Sequence, residues 1–210
     1  MAVLSVSRST LAFPAKYNSL LQASDVTPEI LGGMVLLTPT SIDVVGTSAT
    51  IGANGSVEFT AITELSLNGI FSSEYDNYML VSWAVASTGD QAVLARMRLS
   101  EVPESGSNYT LQQLSAQSTV VSGVTLTSQT AASMFRASAT QRTGSTTFIY
   151  GPALAQPTAW RQVTAEGLSS AGIIEAAVTH SVSTAYDGVT FIPTASSVSG
   201  LVSVYGLVGA

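Results

Sequence analysis

His180 has the widest chemical range of any side chain in this sequence, and it is the only histidine. It stands between Thr179 and Ser181, and a hydroxyl next to an imidazole is a starting point for nucleophilic catalysis. A serine hydrolase of the nucleophile-elbow type would also carry a Gly-x-Ser-x-Gly turn, which the chain lacks. Because serine is abundant throughout, the pattern favours a hydrogen-bonded strand residue, and we predict no catalytic residue.

The sequence offers few ligands to a metal or a cofactor. Zinc sites draw on several histidines or cysteines, and this chain has one histidine and no cysteine. Calcium needs clustered oxygen ligands, whereas Asp76 and Asp187 stand in separate turn-like segments. The segment Gly52–Gly55 lacks the Lys-Ser/Thr ending of a phosphate-binding loop. We therefore predict no metal and no cofactor.

Paired carboxylates across a cleft would indicate a carbohydrate-degrading enzyme. The chain has 13 acidic residues among 210, and no spacing singles out two of them. The glutamates from which a pair could be drawn are Glu58, Glu64, Glu101, Glu104, Glu166 and Glu175. The sequence therefore predicts a protein that is not an enzyme, with glycan cleavage as the alternative.

The composition points to a protein that assembles with other subunits. Hydrophobic residues make up 46% of the chain, whereas charged residues make up only 10%, against a typical value of about 25%. A surface built from serine, threonine, asparagine and glutamine carries little charge to keep copies apart. This predicts a homo-oligomer, with a trimer as the expected form. The net charge of −6 and the scattered lysines and arginines argue against nucleic acid as a partner.

The sequence carries no pattern for membrane insertion or for a cleaved signal peptide. Apolar runs such as Met34–Leu37 are far shorter than the ~18 residues that a membrane helix needs. Polar residues interrupt the start of the chain, Met1–Phe13, where a signal peptide would lie. We expect a protein that does not enter a membrane and that is not exported through a cleaved signal.

Residues 1–40 are predicted to form an N-terminal arm for assembly. Pro14, Pro28 and Pro39 break this region into short pieces, and Ala15–Ser24 has helical propensity after Pro14. So short a region cannot bury a core of its own. Its apolar side chains are therefore the predicted assembly contacts, namely Phe13, Tyr17, Leu20, Leu21, Ile30 and Leu31.

Residues 41–210 are predicted to form an all-β domain, a jelly-roll-like antiparallel β-sandwich. Short runs rich in Val, Ile, Thr, Phe and Tyr recur between Gly, Asn, Asp and Ser turns, and helical segments between them are missing. The end of the chain, from Tyr186 to Gly206, predicts a closing β-hairpin of two strands around a Ser/Thr loop. The predicted strands are 56–59, 78–86, 91–100, 109–116, 146–150, 160–165, 173–182, 189–192 and 201–205.

Two polar or proline-broken loops are the predicted recognition surface, because loops between strong strands carry most binding sites. They span Glu101–Asn108 and Gly151–Trp160. Trp83 lies within a strand and is expected in the core, whereas Trp160 is equally suited to the core and to a sugar-binding face. The candidate recognition residues are Glu101, Ser105, Asn108, Gln156 and Trp160.

Several stretches resemble the minor tail and fibre proteins of tailed bacteriophages. The resemblance lies in 75–78 (Tyr-Asp-Asn-Tyr), 94–100, 107–110, 119–123 and the closing segment, and it covers roughly residues 40–210. It implies a virion protein with a jelly-roll-like domain, displayed on the tail, a fibre or the capsid surface. Such proteins often form trimers and dock to the particle through an N-terminal segment.

Two classes of function follow from these features of the sequence. The first is a structural virion protein that contacts itself and other virion proteins, and that also recognises a host-surface glycan. The second is a virion-associated carbohydrate-degrading enzyme, with a lectin-like binding module as a further alternative. Carboxylates clustered in a cleft would favour the enzyme, and an apolar contact surface would favour the structural protein.

Overall fold

The computed structural model describes residues 33–166 and 172–208, and these residues form fourteen β-strands. Val, Ile, Thr and aromatic residues, which suit a pleated and half-buried surface, recur through the strands. The strands are β1 (Met34–Leu37), β2 (Ser41–Ile51), β3 (Val57–Asn68), β4 (Asn77–Ala86), β5 (Gln91–Leu99), β6 (Val102–Pro103), β7 (Tyr109–Gln117), β8 (Val120–Gln129), β9 (Ala132–Ala137), β10 (Thr143–Tyr150), β11 (Thr158–Glu166), β12 (Gly172–His180), β13 (Gly188–Pro193) and β14 (Val198–Leu207).

All fourteen strands belong to one curled antiparallel sheet. Its main path runs β6-β5-β13-β3-β14-β4-β10-β11-β12-β7-β8, while β1, β2 and β9 attach to β14, β3 and β5. The predicted all-β class is therefore confirmed for the described residues. Within those ranges no helix has the length and hydropathy needed to cross a membrane.

Strand β9 shows how far the sheet curls, because it lies across the inner face of β10 and β11. The indole N–H of Trp160 donates to the Ser133 carbonyl at 2.8 Å. The Thr147 hydroxyl donates to the Met134 carbonyl at 2.6 Å, and the Thr143 hydroxyl donates to the Arg136 carbonyl at 2.6 Å. The core lies between these facing parts of the sheet, and its largest fully buried side chains include Trp160, Tyr78, Tyr109, Phe59, Phe135, Phe191, Ile62, Leu65, Leu67, Leu80 and Met97.

The predicted closing hairpin is wrong, because β13 and β14 do not pair with each other. Both run antiparallel to β3, with Val189–Phe191 opposite Leu65–Leu67 and Val198–Val202 opposite Val57–Ile62. They therefore lie end to end along β3 as one interrupted strand. The break, 194–197, is where this strand passes from the β5 side of the curl to the β4 side, and the Gln91 side chain accepts the N–H groups of 195 and 196 there.

The sheet includes four residues of the predicted arm, 1–40. Met34–Leu37 forms β1 and pairs with Val204–Leu207, so the sheet begins seven residues before the predicted start at residue 41. The side chains of Val35 and Leu37 pack against the core. The predicted arm helix and the six arm contacts, Phe13, Tyr17, Leu20, Leu21, Ile30 and Leu31, lie outside the described residues.

Candidate functional site

The two predicted recognition loops converge at one end of the sheet, on the segment that joins β12 to β13. The backbone N–H of Ser181 donates to the Asn108 carbonyl at 3.1 Å, and that of Tyr186 donates to the Pro152 carbonyl at 2.8 Å. Residues 101–108 and 151–157 therefore meet on 181–187. We call this group of three segments the loop end.

Four of the five candidate recognition residues lie at the surface of the loop end. Glu101, Ser105 and Gln156 are exposed, and Asn108 is half-buried. Trp160, the fifth candidate, was equally suited to the core and to a sugar-binding face, and the structure places it in the core, because the side chain lies in β11 and is 1% exposed. Its indole instead packs edge-on against Tyr109, with ring centroids 6.0 Å apart.

Two carboxylates of the loop end, those of Asp187 and Glu104, accept hydrogen bonds from loop backbone. One oxygen of Asp187 accepts the N–H of Ser100 at 2.9 Å, and one oxygen of Glu104 accepts the N–H of Gly106 at 2.7 Å. The Glu104 bond is local and stabilises its turn, whereas the Asp187 bond joins two segments that are 87 residues apart in sequence. In the described part of the chain, no group of three or more His, Asp or Glu side chains is placed to hold a metal ion.

His180 lies directly beneath the loop end and is fully buried. Its ring stacks on Tyr109 with centroids 4.3 Å apart, and its Nε2 is hydrogen-bonded to the Tyr186 hydroxyl at 2.6 Å. The Tyr109 hydroxyl accepts the N–H of Met97 and donates to the Glu104 carbonyl. The ring therefore connects the core to the loop end, which agrees with the prediction of a hydrogen-bonded strand residue.

Burial lowers the pKa of His180 below its ordinary value of 6.5, although Glu104 and the Asn108 backbone partly offset this effect. There is therefore a pH range in which the imidazole is neutral in the folded protein but protonated in the unfolded chain. Because the unfolded state binds more protons below pH 6.5, the free energy of unfolding should fall as the pH falls from about 7 to about 5. The slope from one proton is at most about 1.4 kcal/mol per pH unit. Urea unfolding across this range measures it.

The variant His180→Phe should flatten this pH dependence, because the chain has no other histidine. Tyr186→Phe is the matched control, since it removes the same 2.6 Å hydrogen bond and keeps the titrating ring. It should lower the stability and retain the slope. If His180→Phe keeps the wild-type slope between pH 7 and pH 5, carboxylates and not His180 carry the effect.

A polar cluster lies inside the curl, where β9, β11 and β7 meet. Glu166 is 4% exposed, forms a salt bridge with Arg136 and accepts a hydrogen bond from the Gln117 amide. Gln162, which is fully buried, accepts from Ser133 at 2.8 Å. The hydrogen-bonding groups of this cluster are satisfied by one another, as buried polar groups in folded proteins usually are. Its only carboxylate is Glu166, so it does not supply the acid and base of a glycosidase.

The sequence did not single out the outward-facing side of strands β4, β10, β11, β12, β7 and β8, which we call the outer face. The strand registers place one side chain from each strand in rows across this face. One such row is apolar along its whole length, and Ile173 and Val121 in it are 60% and 74% exposed. The row consists of Trp83, Gly144, Ala165, Ile173, Ala116 and Val121.

The next two rows of the outer face are largely uncharged. They include the exposed side chains of Val81, Val163, Leu114 and Phe148. The charged pair among them, Arg161 and Glu175, forms a salt bridge at 2.6 Å, so its charges offset each other. An apolar surface that crosses six strands is typical of an interaction site.

Trp83 belongs to this outer face, which corrects its predicted place in the core. Its side chain is half-buried, and the Arg142 guanidinium lies 3.8 Å from the ring centroid. The signal for the outer face was the strand segment 79–86, in which both alternating sets of residues are apolar except for Ser82. One face of such a strand meets the core, and the other must either find a partner or remain exposed.

Comparison of the chain with protein-family models, with curated proteins and with solved structures finds no match in any of the three.

Proposed function

We propose that this chain is a structural protein of a tailed-bacteriophage virion, of the minor tail, fibre or capsid-surface kind, and that it resides on the assembled particle. The observation that carries the proposal is the apolar row on the outer face, which is exposed on every strand except at Trp83, where the Arg142 guanidinium lies over the ring. An exposed apolar band of this kind is stabilised by burial against another subunit. The resemblance of several stretches to phage tail proteins is the reason for proposing that this assembly is a virion.

The low charge of the chain supports the same role. With only seven lysines and arginines, the surface has little to repel a neighbouring subunit. The partners are further copies of this chain and other virion proteins, and a homotrimer is the arrangement that the resemblance implies. We further propose that the curled sheet is a jelly-roll-like sandwich and that the segment before Met34 docks it to the particle.

The variant Ile173→Lys should reduce incorporation of the protein into particles at least tenfold, because it buries a charge in the proposed contact. Thr179→Lys is the matched control, since both residues lie on the outer face of β12 and both are exposed. It lies outside the apolar row and should be incorporated normally. Immunoblots of purified particles measure both. Normal incorporation of Ile173→Lys would exclude the row as the contact, and absence of the wild-type chain from particles would exclude the virion role.

A second candidate function is recognition of a host-surface glycan at the loop end. The convergence of two polar loops, with Glu101, Ser105 and Gln156 exposed together, favours it. Glycan binding without turnover would indicate a recognition module. Sustained release of reducing sugar would instead establish the carbohydrate-degrading alternative, and the loss of that release in carboxylate variants would name its catalytic pair.

A further inference from the structure

Among residues 33–166 and 172–208, no strand pairs with the outer edge of β8, so this edge is free along its whole length. It pairs with β7 on one side only, and from Val120 to Leu126 this pairing is unbroken. Nine of its ten residues are exposed, so both of its faces and its free edge meet solvent. Its sequence, VVSGVTLTSQ, contains no charged residue and no proline. An exposed strand edge of this kind is a template for pairing with another strand.

The other long edge strand, β2, carries the features that discourage such pairing. Its register against β3 shifts between Val45 and Gly46, where Gly46 adopts a φ of +138°. The strand also carries the charged residue Asp43. Irregular backbone and charge both protect sheet edges from pairing with other chains. Strand β8 has neither device between Val120 and Leu126.

Gly123, at the centre of this segment, is not required by the fold of the single chain. Its φ lies outside the left-handed region, and a Cβ added there would come no closer than 3.7 Å, to the Gln113 carbonyl oxygen. A side chain would therefore fit, and glycine within a strand weakens it. Glycine in a strand interior often marks a place where another backbone approaches closely.

We propose that β8 pairs antiparallel with β8 of a second copy of this chain, across a twofold axis near Gly123. An isologous contact needs only one self-complementary surface and closes on itself, which makes twofold dimers the commonest assemblies. The strand is uncharged, so self-pairing brings no like charges together despite the net charge of −6. A second copy of this chain is thus the partner that the edge can bind without any additional binding surface.

The twofold register gives favourable cross-strand pairs. With Gly123 opposite its own copy, Val120 faces Leu126, Val121 faces Thr125 and Ser122 faces Val124, each pair occurring twice. Pairs of apolar and β-branched side chains stabilise antiparallel strands. The inference deepens the self-assembly part of the proposed function and rests on it, but it specifies a twofold contact in place of the predicted trimer.

The test is the oligomeric state of the full-length chain, measured by light scattering after size exclusion at high protein concentration. The wild type should show twice the monomer mass of 21.6 kDa. Val124→Lys should reduce the mass to that of one chain, because it places two like charges beside the axis. Val45→Lys, on the other exposed edge strand, is the matched control and should remain dimeric. Circular dichroism should show that both variants remain folded, since Val124 and Val45 are 43% and 57% exposed.

Crosslinking gives a second readout that does not depend on dissociation. The chain has no cysteine, so single-cysteine variants report one contact each. Gly123→Cys should form a disulfide-linked dimer on mild oxidation, whereas Ser73→Cys, in an exposed loop, should not. Gly123→Cys that stays uncrosslinked would overturn the proposed axis.

Three results would overturn the pairing: a monomeric wild type, a trimeric wild type, or a dimer that Val45→Lys but not Val124→Lys dissociates. The virion role is tested separately by immunoblots of purified particles. A β8-linked dimer that is absent from particles would refute the proposed function and leave the pairing in place. A chain that is present in particles but monomeric in solution would refute the β8 pairing and support the proposed function.

Discussion

Trp160→Ala should lower the free energy of unfolding by about 3–5 kcal/mol, the usual cost of truncating a fully buried tryptophan. The side chain is 1% exposed and fills the space between β11 and β9. Its removal leaves a cavity against Tyr109 and deletes the 2.8 Å hydrogen bond to the Ser133 carbonyl. Both losses weaken the contact between β11 and β9 across the curled sheet. Urea unfolding followed by far-ultraviolet circular dichroism measures the change.

Trp160→Phe separates the two contributions. Phenylalanine keeps most of the aromatic packing but cannot donate to Ser133, so it should cost about 1–2 kcal/mol, less than alanine. Ile173→Ala serves as an exposed control on the neighbouring strand and should change stability by less than about 0.5 kcal/mol. A Trp160→Ala protein as stable as the wild type would mean that β9 does not depend on this contact.

Arg98→Met should be the second strongly destabilising substitution, at about 3 kcal/mol. The guanidinium is buried, and it donates to Asn68 at 2.6 Å, to Ser66 at 2.9 Å and to Thr190 at 3.0 Å. Methionine replaces the apolar stem but removes the donor to the Asn68 side-chain carbonyl, and it leaves Ser66 and Thr190 with their hydrogen bond to each other at 3.0 Å. The loss of satisfied hydrogen bonds, more than the loss of charge, sets the size of the effect. Urea unfolding of the variant beside the wild type measures it.

Asp43→Asn tests whether the ion pair matters. The carboxylate accepts from Arg98 at 2.8 Å, but its side chain is 60% exposed. Water screens such a pair, so the substitution should cost less than about 1 kcal/mol. If Asp43→Asn destabilises as much as Arg98→Met, the ion pair and not the buried hydrogen-bond network stabilises this part of the sheet.

The place of Arg98 shows a limit of strand periodicity. In the sequence of the predicted strand 91–100, Ala95, Met97 and Leu99 alternate with Arg96 and Arg98, and this alternation by itself predicts an apolar face and a charged face. Ala95 and Met97 are indeed buried, but Leu99 is 42% exposed and Arg98 is 4% exposed. Polar side chains on β3 and β13 accept hydrogen bonds from the buried guanidinium, and these partners are 30 or more residues away in sequence.

Local sequence patterns missed β1, β2, β6, β8 and β9. They were sufficient for the all-β class and for the other nine strands, since both follow from β-branched and aromatic residues between turn formers. They also placed the two loops that meet at the loop end. They were not sufficient for the way in which strands are joined. The predicted hairpin between β13 and β14 was wrong because β3 competes for both strands, and local turn signals cannot reveal a competitor far away in sequence.

The side of each strand that meets the core, and the side that remains for a partner, follow from the assembled sheet and not from the strand alone. Trp83 and Trp160 both stand in strand-like segments, yet the first faces outward beside Arg142 and the second is enclosed beneath β9. Whether each tryptophan is buried or faces outward depends on which strand lies across the sheet at that point. The outer face likewise arises only when strands from distant parts of the sequence align in register, because the pattern of one strand does not show which strands lie beside it. The edge of β8 is free because β7, the strand before it in sequence, is its one partner among the described strands.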